Sequence, residues 1–149
     1  MDMDFGLSQE EREELGEQQK KRDRELVRLR TKAELLSEDL FESEYVQVYF
    51  GLYIEVIARK LYLHGGQGSV SIEMTDYDGE RSARLTLVNH AMTLREAYSV
   101  IERERGRMGN YSLPKALNFM DKVSIEASAS GGIEVEVLKK RIPVRYEMS

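Results

Sequence analysis

The chain predicts an α+β fold: a two-layer sandwich with helices over one face of a mixed or antiparallel sheet of four or more strands, preceded by a charged N-terminal helix. Three observations predict it. Four short segments alternate apolar and polar residues with the period of half-buried strands. They fall in two pairs, each turned at glycine, with helical patterns before and between the pairs. A helical stretch ahead of them is apolar almost all round, so it needs cover on more than one side. With 149 residues and 41% hydrophobic content, the chain can bury one core of ordinary size.

The elements follow in order. Ser8, with Glu11 three residues on, is a capping-box start, and more than half of the residues from there to Asp39 are charged. Leu26, Leu29, Ala33, Leu36 and Leu40 then repeat at alternating spacings of three and four, a narrow seam. At the equivalent upstream positions Gln19 and Arg22 are polar, so the first turns should project into solvent or fray. The seam has two uses. It packs the helix on its own domain, or it forms a dimer or partner contact; residues 1–40 are read as a helical extension serving such a contact and 41–149 as the sandwich proper. Ser37, Asp39 and Ser43 are cap-type residues around the break.

From Tyr45 to Leu63 charges almost vanish, and Tyr49, Phe50, Tyr53, Ile54, Ile57 and Leu61 belong to a helix that the seam is placed to cover. Gly65-Gly66 ends it. Val70, Ile72 and Met74 alternate with Ser71, Glu73 and Thr75, and Asp78-Gly79 turns the chain into a second strand through Ala83, Leu85 and Leu87. Thr93 and Glu96 form another capping box, opening a helix with Leu94, Ala97, Val100 and Ile101 that stops near Gly106. Ser112 and Pro114 start a short helix carrying Ala116, Leu117 and Met120. Val123, Ile125 and Ala127, then Ile133, Val135 and Val137, form the last strand pair, turned at Gly131-Gly132.

Composition excludes several function classes. There is no cysteine, which removes disulfides, thiolate metal sites and thiol nucleophiles. The net charge of -5 argues against general nucleic-acid or membrane affinity, and the basic tail Lys139, Lys140, Arg141 and Arg145 has little aromatic interleaving. No apolar run is long enough to span a membrane and the acidic start is unlike a leader, so a soluble, cytoplasmic protein is expected. The two histidines, His64 and His90, have no second ligand at metal spacing and read as cap or surface residues; no metal site is expected. Glu134 and Glu136 lie on the polar face of a strand, where they aid solubility. There is no nucleophile elbow, Walker loop or zinc-protease helix.

The closing segment carries a family likeness. A helix with Leu113, Ala116, Leu117 and Met120, then Asp121-Lys-Val-Ser-Ile-Glu, a Gly-Gly turn and Ile133-Glu-Val-Glu-Val, resembles the end of the GHKL ATPase superfamily fold, the histidine-kinase-like ATPase domains. The helix from Tyr53 to Gly66 is similar to the family's first conserved helix, and the likeness spans Tyr45 to Arg141. Within that superfamily the chain most resembles the small anti-sigma-factor serine kinases.

The resemblance implies a nucleotide site, with roles for particular residues. Glu55 matches the Glu that orients the attacking group, but the position of the magnesium-holding Asn is Arg59, and a guanidinium cannot ligate a cation. Glu55 is also placed to pair with Arg59 one turn on. Asn89 stands where the family's Asp reads adenine, yet Ala91 and Thr93 replace two glycines that make room for the base. The phosphate loop corresponds to the segment with Gly106, Arg107, Gly109 and Ser112, in which Tyr111 is bulky. If ATP is retained, Asn89, Gly106, Arg107, Gly109 and Ser112 hold it and Glu55 is the base. All three motifs weaken together, so the expectation is a degenerate frame without cofactor.

That expectation is a non-catalytic regulatory or interaction module in bacterial-type signal transduction, anti-sigma, partner-switching or kinase-associated. Its partner would be a signalling or sigma-regulating protein, or a second copy in a homodimer. The alternatives are an ATP-binding kinase-like enzyme with weak nucleotide binding and a structural helical adaptor.

Overall fold

The computed structural model describes residues 8–62, 68–105 and 112–142. It is an α+β fold, with helices α1 (Gln9–Ser37) and α2 (Glu44–Leu61), the hairpin β1 (Gly68–Tyr77) and β2 (Glu80–Asn89), helices α3 (Leu94–Glu104) and α4 (Leu113–Phe119), and the hairpin β3 (Lys122–Ala127) and β4 (Ile133–Lys140). The four strands form one antiparallel sheet in the order β1-β2-β4-β3. The second hairpin thus enters the sheet of the first, and β4 lies in its middle.

Caps open each helix where the sequence places them. The Ser8 and Ser43 hydroxyls accept from the backbone N–H groups of Glu11 and Val46, and Ser112 accepts from that of Lys115. Thr93 and Glu96 form the complete reciprocal box. Asp78 and Gly79 both take positive φ, 53° and 77°, the combination that a tight two-residue hairpin turn needs.

The sheet has two unlike faces. Ile72, Leu85 and Val137 stand side by side on one face, as do Leu87, Val135 and Ile125, and these sit in the core under the helices. The opposite face carries Glu73 bonded to Arg84, and Lys122 paired with Glu136 at 3.3 Å. Burying each inner Leu, Ile or Val contributes about 1.5–3 kcal/mol, which fixes the register, since a one-residue slip would turn all of them outward.

Helix α2 is the central rod of the helical layer. Phe50, Ile54, Ile57, Ala58 and Leu61 are fully buried. Helix α1 runs antiparallel beside it, as contacts at rising positions of α2 (Gly51, Glu55, Tyr62) fall at descending positions of α1 (Glu34, Arg30, Glu25). A side chain at Gly51 would meet the Glu34 side chain, so the glycine permits this close approach. Leu26, Leu29, Ala33 and Leu40 of the seam are buried in the common core, with Leu36 half-buried against it. Covering α2 is therefore the use this conformation makes of the seam. The preceding residues, 9–24, are exposed apart from a partly covered Arg22. Rings continue the packing outward, from Phe50 through Phe41, Phe119, Tyr53 and Tyr49 to Tyr45, with centroids between 5.2 and 6.3 Å apart.

Candidate functional site

Of the residues expected at the nucleotide site, Asn89 lies where the end of β2 meets the last turn of α2. Asn89 is the last residue of β2 and wholly buried. Its side-chain amide donates to the Leu61 carbonyl at 2.8 Å and to that of Tyr62 at 3.4 Å, and its oxygen accepts from the Ala91 backbone at 2.9 Å. One side chain therefore satisfies carbonyls that the end of α2 leaves without helical partners. It also shapes the turn into the next helix.

Two glycines allow the chain to close on this point. Gly132, at φ 83°, brings its Cα against the backbone of Asn89 and His90, where a Cβ would collide. Gly68, at φ 145°, lies as tightly against Val88. His90 is exposed and its Nδ1 lies 3.1 Å from the Gly131 carbonyl, so the imidazole spans the two turns. Tyr62 reaches the Gly68 carbonyl and the Glu25 carboxylate, both at 3.4 Å. Burial pushes the Tyr62 phenol above its ordinary pKa, and the charge of Glu25 and its hydrogen bond push the same way.

Glu55 faces α1. Its carboxylate pairs with Arg59 at 3.2 Å and with Arg30 at 3.5 Å, while Arg30 also holds Glu34. These four charges bridge the two helices. Among the described residues no bond links Glu55 to Asn89. Met92 is fully buried in the core and Arg59 is half-exposed, engaged with Glu55. Ser112 is the N-cap of α4. Gly106, Arg107, Gly109, Tyr111 and His64 lie outside the described residues.

Sequence reasoning missed Glu104. Its side chain is 8% exposed, pairs with Lys60 at 3.1 Å and accepts from the backbone N–H of Leu113 at 3.2 Å, the first residue of α4. A carboxylate at the end of α3 thereby anchors the start of α4 and the last turn of α2. The signal was present: Ala97, Val100 and Glu104 share one face of α3, so this glutamate occupies a core-periodic position.

Among the described residues no group of three or more His, Asp or Glu side chains is arranged to hold a metal ion, and no helix is long and apolar enough to cross a membrane. No family model, no curated protein and no solved structure matches the chain.

Proposed function

We propose that the chain is a regulatory protein-interaction module on a degenerate histidine-kinase-like ATPase frame, acting in bacterial-type signal transduction without nucleotide chemistry. The observation that carries this reading is the exposed half of α1. Residues 9–24 extend the helix well beyond the part that α2 covers: α1 has 29 residues, about 43 Å of helix, against 18 residues and about 27 Å for α2. Gln9 bonds to Glu13, Gln19 to Asp23 and Lys20 to Glu17, all along the helix itself. A projecting charged helix of this kind suits contact with a signalling or sigma-regulating protein, or with itself.

Loss of ATP binding is supported by the uses of Asn89 and Glu55. The Asn89 amide already serves two carbonyls and a backbone N–H, and the Glu55 carboxylate lies between two guanidinium groups. The antiparallel order β1-β2-β4-β3 supports the ancestry, since the resemblance implies a final hairpin inside the sheet of the first pair.

Calorimetry with ATP and magnesium tests the nucleotide half of the reading. No binding heat is expected at millimolar ATP, and saturable heat would favour the enzyme alternative. Isolation of partners from native cells tests the other half. A partner held by the full chain and lost from a chain starting at Glu25 is expected; identical partner sets would overturn the role given to α1.

A further inference from the structure

We propose that two copies of this chain associate through the exposed half of α1, antiparallel, with the acidic block of each helix lying on the basic block of the other. The inference rests on the interaction-module reading and specifies one partner, a second copy. Its basis is the distribution of charge on one helix face. At about 100° per residue, Glu10, Glu13 and Glu17 are followed on the same face by Lys20, Arg24 and Arg28, and this face is opposite the buried seam of Leu26, Leu29 and Ala33. All six side chains are exposed. The face is acidic along its first two turns and basic along the next two.

Within a single helix this arrangement is unfavourable. Like charges three and four residues apart repel, as Glu10 does Glu13, Glu13 does Glu17, and Arg24 does Arg28. Among the described residues the only ion pair inside this face is Glu17 with Lys20, at 3.7 Å, where the two blocks meet. An antiparallel second copy resolves the repulsion. With a two-fold axis between positions 18 and 19, Glu17 faces Lys20 of the second copy, Glu13 faces Arg24, and Glu10 approaches Arg28. Every pair occurs twice. The blocks have matching lengths, each about 10–12 Å along the helix. Because the seam is on the far side, each body points away from the contact and the two do not collide.

Pairing of exposed charges makes a weak and salt-sensitive dimer, because screening shortens their reach to about 3 Å at 1 M salt. Sedimentation equilibrium of the full chain reads it directly. A dimer is expected in about 50 mM salt and a monomer above about 0.5 M. Two triple variants complete the test, one with Glu10→Lys, Glu13→Lys and Glu17→Lys, the other with Lys20→Glu, Arg24→Glu and Arg28→Glu. Each alone should dimerise at least about tenfold more weakly, while an equimolar mixture should recover wild-type affinity as a heterodimer. Circular dichroism checks that both keep their helix. If one does not, the wild-type salt titration decides alone.

A wild-type chain that stays monomeric in low salt at about 0.5 mM overturns the proposal. So do triple variants that dimerise like wild type, or a mixture that stays monomeric. A monomer that still loses its native partner on removal of residues 1–24 would sink the self-pairing alone, leaving the interaction module intact.

Discussion

At the residue scale, Asn89 determines how the end of α2 is completed. Replacing it with Ala strips the Leu61 carbonyl of its partner in a buried site and the Ala91 N–H of its partner in a part-buried one, a loss of about 2 kcal/mol that urea denaturation would measure. Asn89→Asp is the sharper probe, since a carboxylate only accepts hydrogen bonds and would point at two carbonyls. At pH 7 it should cost more than Ala. The buried Asp would hold its proton above the usual value of about 3.9, so its deficit shrinks as pH falls through that raised pKa and the donor returns. Tyr62 shows the same linkage at the alkaline end. Its pKa is raised in the folded chain, so its contribution is complete below the unfolded phenol value of about 10 and is lost as pH rises through the folded one. Tyr62→Phe should flatten the fall of the urea midpoint above about pH 10 relative to wild type. The sequence marks Asn89 as a polar group after a strand. It could not show where the amide points, because the acceptors lie 27 and 28 residues back, across a register that only the folded sheet fixes.

At the element scale, two small features hold the helical layer to the sheet. Glu104 ties α3 to the start of α4 and to Lys60 of α2, so Glu104→Ala should lower stability by about 2 kcal/mol or more, whereas Glu104→Gln, which keeps an acceptor for Leu113, should cost less. Thermal melts of the pair would separate the two effects. The turn between β3 and β4 offers a second comparison. Gly131 and Gly132 both have positive φ, but only at Gly132 would a Cβ collide, and it would do so with backbone of Asn89 and His90. Gly131→Ala should cost about 1–2 kcal/mol and Gly132→Ala clearly more, read from the shift in urea midpoint. Periodicity and caps made these elements legible: Ser43, Thr93, Ser112 and Asp78-Gly79 lie where their chemistry acts. Glu104 was less legible, since a glutamate in a charged helix end reads as solvated until its face is counted.

At the scale of the whole molecule, α1 divides at about Leu26. A chain starting at Glu25 keeps every core residue of α1 and should melt within about 5 °C of the full protein. One starting at Leu40 loses Leu26, Leu29 and Ala33, uncovers α2 and should show no cooperative transition, because two buried leucines at about 2.7–5 kcal/mol each approach the total stability of a domain. The seam was readable from its spacing, and the all-round apolar α2 marked it as a candidate cover; the same heptad pattern also serves a partner, and only the position of α2 decides between them. The sheet raises a different matter, the order in which the chain is made. β4 occupies the middle of the sheet, between β2 and β3, yet follows both in sequence. Until Ile133–Lys140 has emerged during synthesis, β2 presents an unpaired edge beside Leu85 and Leu87, a template for pairing with a neighbouring chain. The hairpin β1–β2 cannot acquire its lasting neighbour as it leaves the ribosome. Aggregation of nascent chains, more than of the finished protein, is the hazard that this topology creates.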